Sequence, residues 1–162
     1  PTAIEGLQRF LMRCKNFARP LDLLKQVAGK AAAMDVLMGL IEEEAEKSEL
    51  KPEKKRELLI VLADFQDPRS TEIATRLLTD FDEGVRYTAA EVLIALEDNE
   101  NIREALLSAL SNAEEESNRL RVRIAEIVGG RDWPLGSHTA LLASNAPFGW
   151  SVNGNRLSQT SN

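Results

Sequence analysis

The chain has 162 residues, with 20 Lys+Arg against 26 Asp+Glu and a formal net charge of −6. Its 43% apolar and 28% charged residues are ordinary for a folded globular domain and exclude a disordered or collagen-like chain. Aromatics are only 5%, so the core must come from Leu, Ile, Val and Ala, which favours helices over a sandwich or barrel.

The first predicted helix runs from about Ile4 to Asn16, with Ile4, Leu7, Phe10, Leu11 and Cys14 on one stripe. Arg19-Pro20 ends it and opens a short second helix through Leu21, Leu23, Leu24 and Val27, which Gly29 stops. A third helix, about Ala32 to Glu46, carries Met34, Leu37, Met38 and Ile41. Its acidic end, Glu42 to Glu44 and Glu46, opposes the helix dipole and is expected to fray or to meet a basic neighbour. Lys51-Pro52-Glu53 starts a fourth through Leu58, Leu59, Val61 and Leu62.

Asp67-Pro68-Arg69-Ser70 then turns the chain into a helix bearing Ile73, Ala74, Leu77, Leu78 and Phe81. Asp80-Phe81-Asp82-Glu83-Gly84 breaks it. Val85, Ala89, Val92, Leu93 and Leu96 form the next stripe, Asp98-Asn99 breaks again, and Ile102, Leu106, Leu107 and Leu110 follow. The loop 112–117 precedes Leu120, Ile124, Ile127 and Val128, and Gly129-Gly130 reads as a stop.

These segments repeat. Leu59-Ile60-Val61-Leu62-Ala63-Asp64 aligns with Leu93-Ile94-Ala95-Leu96-Glu97-Asp98 at an offset of 34. Val85-Arg86 and Ala90-Glu91 align with Leu120-Arg121 and Ala125-Glu126 at an offset of 35. Two helices per period of that size signal a helical solenoid.

On these residues the chain resembles HEAT-repeat proteins, in particular the short bacterial repeats grouped with phycobilisome lyases. The match covers 52–131, through Asp67-Pro68-Arg69, Asp80, Asp82, Val85-Arg86 and Ala89-Ala90. The resemblance implies an all-α, right-handed HEAT-like α-solenoid over 1–131, closed by a small helix and hairpin over 132–162. It also implies an acid–arginine ladder, with Asp80 and Arg86 pairing and Arg121 continuing the row.

After Gly130 the chemistry changes. Ser137 is placed to cap a short helix over about His138 to Ser144, and the segment from Pro147 to Leu157 reads as a hairpin turning at Asn153-Gly154. An isolated hairpin is marginal in water, so Trp133, Phe148 and Trp150 are expected to cover the last repeat as a cap.

Catalytic chemistry is sparse. His138 is the only histidine and Cys14 the only cysteine, so the two cannot build a thiolate–imidazole metal site, and no phosphate-binding Gly-rich loop occurs. Cys14, on the apolar stripe, reads as a buried inert thiol, and His138 as a surface residue at a helix start. A lone Cys forms no internal disulfide, which points to a reducing, cytoplasmic compartment. No segment approaches the ~18 apolar residues of a membrane span. The opening Pro-Thr-Ala-Ile-Glu-Gly lacks a secretory pattern and an initiator Met, so a processed or trimmed start is expected.

The functional expectation is a non-enzymatic scaffold, without cofactor, that offers the second helix of each repeat to another protein. The period places Lys55, Arg56, Tyr87, Glu91, Arg119 and Arg123 on that groove. Two basic clusters, 51–56 and 119–123, lie on one edge and suit an acidic partner. The alternatives are a bilin lyase or chromophore-attachment chaperone, with Cys14 or a carboxylate as its reactive group, and a DNA-binding HEAT-like protein. The acidic balance and the scarcity of aromatics argue against nucleic acid. Charge is uneven: residues 1–41 carry a net +3 and the remainder −9, a polarity that suits head-to-tail contact or simply two solvated ends.

Overall fold

The computed structural model describes residues 2–14, 16–46 and 51–160. Within them the chain is mostly helical, with nine α-helices and one small antiparallel hairpin. The helices are α1 (Thr2–Arg13), α2 (Ala18–Ala28), α3 (Lys30–Glu46), α4 (Pro52–Phe65), α5 (Ser70–Leu77), α6 (Glu83–Ala95), α7 (Glu100–Ser111), α8 (Asn118–Gly130) and α9 (Thr139–Asn145).

Local chemistry sets most boundaries. Gly29, at φ +88°, closes α2 and donates its N–H to the Lys25 carbonyl, so α3 starts at Lys30, earlier than the pattern suggests. Pro52 opens α4 in the first turn, where its missing N–H costs nothing. Asp82, Asn99 and Ser117 cap α6, α7 and α8 by accepting the N–H of Val85, Ile102 and Leu120 at 3.0–3.1 Å. Caps Asp82 and Ser117 share the offset of 35 seen between their helices. The acidic side chains from Glu44 to Glu49 lie outside the described residues, and with them half of the acids at the expected fraying end of α3.

From α3 to α7 each helix packs on the helix after next, and the sequence neighbours α3–α4, α5–α6, α6–α7 and α7–α8 also pack on one another. One series runs α4–α6–α8 and another α3–α5–α7–α9. Two cation–ring contacts link the α2 region to α4: Lys54 Nζ sits over the Phe17 ring at 5.6 Å, and Lys25 Nζ over the Phe65 ring at 5.5 Å. Leu59 of α4 and Leu93 of α6, one period apart, are both fully buried, a burial worth about 1.5–3 kcal/mol for each side chain. The neighbouring pair diverges: Ile60 is exposed while Ile94 is buried.

One residue expected on an apolar stripe and one expected break need correction. Phe65 is buried, but Phe81 is 75% exposed. Helix α5 ends at Leu77, so Phe81 lies on the connection to α6, beyond the helical stripe that appeared to carry it, with Lys55 Nζ 5.4 Å from its ring centroid. Gly84, read as part of a break, lies inside α6. A Cβ there would meet Arg56 Cδ at 2.7 Å, so glycine lets the Arg56 side chain of α4 lie against α6.

The C-terminal segment folds back on α7 and α8. A 3-10 turn (Gly136–His138) leads into α9, which begins one residue later than expected, and no side chain of Ser137 caps it. Strands β1 (Trp150–Asn153) and β2 (Arg156–Gln159) pair with Asn153 opposite Arg156. The two-residue turn is therefore Gly154-Asn155 rather than Asn153-Gly154, with Gly154 at φ +61°. Trp133 is buried and donates its indole N–H to Asp98 Oδ2 at 3.2 Å, whereas Phe148 is 90% exposed and covers nothing. Trp150 packs on α8 at Gly129, where a Cβ would clash with the indole ring. Gly129 is thus a contact point within α8 rather than a conformational stop.

Candidate functional site

Helix α6 turns Val85, Ala89, Val92 and Leu93 inward. Its opposite side carries Glu83, Tyr87 and Glu91, four residues apart, and faces Arg119 and Arg123 of α8. The Arg119 guanidinium spans both Glu83 oxygens at 3.2 Å and lies 4.0 Å from the Tyr87 ring centroid. Ser117 Oγ donates to the same Glu83 at 2.8 Å. Arg123 donates through Nε to Glu91 Oε1 at 2.5 Å and through Nη2 to Oε2 at 3.2 Å. This carboxylate raises the Arg123 pKa above its usual value despite partial burial. Of the six groove residues, four meet in one strip: Tyr87, Glu91, Arg119 and Arg123. Arg56 is 40% exposed on α4, 4.0 Å from Glu53.

Lys55 lies elsewhere. It is 9% exposed, and its Nζ donates to Asp80 Oδ2 at 2.8 Å. This contact belongs to a recurring arrangement. Lys55, Arg86 and Arg121 are each the fourth residue of α4, α6 and α8. Each reaches forward along the chain, Lys55 and Arg86 to the stretch after the next helix and Arg121 to the last residue of α9. Lys55 meets Asp80 after α5. Arg86 meets Glu115 after α7 with two hydrogen bonds at 2.7 and 2.9 Å, and Arg121 donates to the Asn145 carbonyl at the end of α9. The expected Asp80–Arg86 carboxylate pair is absent; Arg86 Nη1 instead donates to the Asp80 and Phe81 carbonyls at 2.9 and 3.1 Å. Sequence reasoning missed Glu83 and Glu115. The available signal was a cation at the fourth position of alternate helices.

The expected basic edge is therefore largely neutralised within the molecule. Lys55, Arg119 and Arg123 hold carboxylates, and Arg121 holds backbone carbonyls, leaving little concentrated positive charge for phosphates.

Two further arrangements bear on chemistry. His138 is half-buried rather than on the surface: Nδ1 lies 3.0 Å from Ser111 Oγ and Nε2 lies 2.9 Å from Glu104 Oε1. The trio has the composition of a hydrolase triad. However, Ser111 is buried and donates its hydroxyl to the Leu107 carbonyl at 2.9 Å, so it ties the 3-10 turn to α7. Between α5 and α7 runs an open groove of about 980 Å³, lined by Thr71, Thr75, Thr79, Ala105 and Ser108. Cys14, expected to be buried, is half-exposed. Among the described residues, no three His, Cys, Asp or Glu side chains are placed to hold a metal, and no helix is long and apolar enough to cross a membrane.

Compared with known proteins, the chain matches no family model, no curated protein and no solved structure.

Proposed function

We propose that this chain is a non-enzymatic protein-binding scaffold built from HEAT-like helix pairs. In this reading the pairs stack as a right-handed solenoid, and the α4–α6–α8 side receives a partner in the cytoplasm. The observation that carries it is the recurring forward reach of the cation at the fourth position of α4, α6 and α8, to Asp80, Glu115 and the Asn145 carbonyl in turn. That recurrence is consistent with stacked units that contact their neighbours along the chain. The strip of Tyr87, Glu91, Arg119 and Arg123 suits recognition of polypeptide: acids and bases alternate around one aromatic ring, so a partner can exchange ion pairs and bury the tyrosine.

The test is affinity capture from the source cell with the wild-type chain and with a variant carrying Tyr87→Ala and Arg123→Ala, both checked for unchanged circular dichroism. A partner retained by wild type and lost by the variant supports the reading. Equal capture overturns the assignment of this face. A spectral shift on adding a bilin, or a salt-dependent gel shift with duplex DNA, would replace the scaffold reading altogether.

A further inference from the structure

The first two helices present a surface unlike the α6–α8 strip. α1 turns Leu7 and Leu11 inward and leaves Arg9, Phe10 and Arg13 exposed, Phe10 at 57%. α2 buries Leu21 and Leu24. On its outer side Arg19, Leu23 and Val27 follow at intervals of four, with Leu23 50% and Val27 63% exposed. α1 packs on α2, so these two faces belong to adjoining helices. Each carries large apolar side chains beside arginines.

The charges there are also different. Arg69, Arg86, Arg103, Arg119, Arg123 and Arg156 all hold carboxylates. Among the described residues, no ion pair reaches Arg9, Arg13 or Arg19, and Asp22 is the one acid with a described side chain on α1 or α2. Residues 1–41 hold a net +3 in a chain of net −6.

We propose that the α1–α2 face docks an amphipathic helix from another protein, apolar along one side and acidic on its flanks. Phe10, Leu23 and Val27 supply the apolar seam for the helix's own Leu or Ile stripe. Arg9, Arg13 and Arg19 supply counter-charges for its carboxylates, which set orientation and speed encounter. A second copy presenting the same face would bring arginine against arginine. A lipid surface is disfavoured because α1 and α2 already bury an apolar stripe each in the core, leaving less than the broad apolar face that interfacial helices insert. The face is separate from the α6–α8 strip, so its fate does not depend on the scaffold reading.

The experiment uses the full chain and two labelled synthetic helical peptides that share one Leu-rich stripe, one flanked by Glu and one by Lys, with binding followed by fluorescence anisotropy. The Glu peptide is expected to bind, more weakly as salt rises, and the Lys peptide not to bind. Two variants separate the contributions: Arg9→Glu, Arg13→Glu and Arg19→Glu together, and Leu23→Ser with Val27→Ser. These positions are exposed, so both should keep the wild-type melting transition and lose about tenfold or more in affinity. The proposal is overturned if the Glu peptide fails to bind or binds both variants as tightly as wild type. It is equally overturned by a reversible dimer, or by pelleting with phosphatidylserine vesicles, that these variants abolish while peptide binding persists.

Discussion

The Arg86 guanidinium holds the Glu115 carboxylate by two parallel hydrogen bonds, joining α6 to the connection that precedes α8. Burial alone would push Glu115 up. The Arg86 guanidinium and the Ser117 backbone N–H outweigh it and hold the carboxyl below its ordinary value. A carboxyl depressed in the folded state binds fewer protons there than in the unfolded chain. Its stabilising contribution is therefore complete above the ordinary glutamate pKa, about 4.3, and is lost as pH falls through the lower folded value. Urea midpoints should decline below that point. Glu115→Gln should flatten the decline without abolishing it, because Asp98, held down by Arg103, and Asp67, held down by Arg69, titrate in the same direction. An unchanged slope in Glu115→Gln would show that this pair does not govern acid sensitivity.

Lys55 and Arg56 are sequence neighbours with opposite fates. Lys55→Ala strands the Asp80 carboxylate at 6% side-chain exposure and should cost about 3–5 kcal/mol in urea denaturation. Arg56→Ala, which removes a half-exposed side chain resting on Gly84, should cost about 1 kcal/mol or less. Similar costs for the two would mean the Lys55–Asp80 contact is not a buried pair in solution.

Gly84 and Gly129 both lie inside helices, where alanine is normally better by about 1 kcal/mol. At Gly84 the obstacle is the flexible Arg56 side chain, which can swing away, so Gly84→Ala should be within about 1 kcal/mol of wild type. At Gly129 the obstacle is the Trp150 ring, with the Leu157 carbonyl 3.3 Å away, and Gly129→Ala should destabilise by about 1–3 kcal/mol. Trp150→Ala removes that obstacle, so adding Gly129→Ala to it should cost less than adding it to wild type. Thermal melts of the four proteins give the coupling.

His138 offers a test of how the C-terminal segment is attached. His138→Ala removes the bonds to Ser111 and Glu104 and should destabilise by about 1 kcal/mol. Amide exchange should rise first in α9, the helix that follows the 3-10 turn, before it rises in α6. A uniform rise across the chain would show that the turn unfolds only with the whole.

The helices were legible because their signals are local. An apolar stripe, a proline in a first turn or a short polar residue at a break acts within a few positions. What crosses between elements was not. Phe81 continues a helical spacing that the backbone has already abandoned. The repeat period aligns helices with helices, but the α7–α8 connection is longer than the α5–α6 one, and Arg86 pairs with Glu115 instead of the nearer Asp80 carboxylate. Lys55 looked like its half-exposed neighbour Arg56 because nothing within the helix distinguishes a partly solvated cation from one buried over Asp80. The α6–α8 strip was half legible: its four residues follow from spacing, while Glu83, which holds Arg119, does not.

The forward reach of Lys55, Arg86 and Arg121 makes the helix pairs unequal partners. Each of these three cations takes at least one of its oxygens from a segment further along the chain. Excising α7 and α8 would leave Arg86 without Glu115, and removing α9 would leave Arg121 facing the Leu110 carbonyl alone. Shortening such a chain from its far side therefore strips each cation of its forward acceptor, leaving Arg86 and Arg121 only backbone carbonyls behind them, and lengthening it would call for a fresh acceptor placed further ahead.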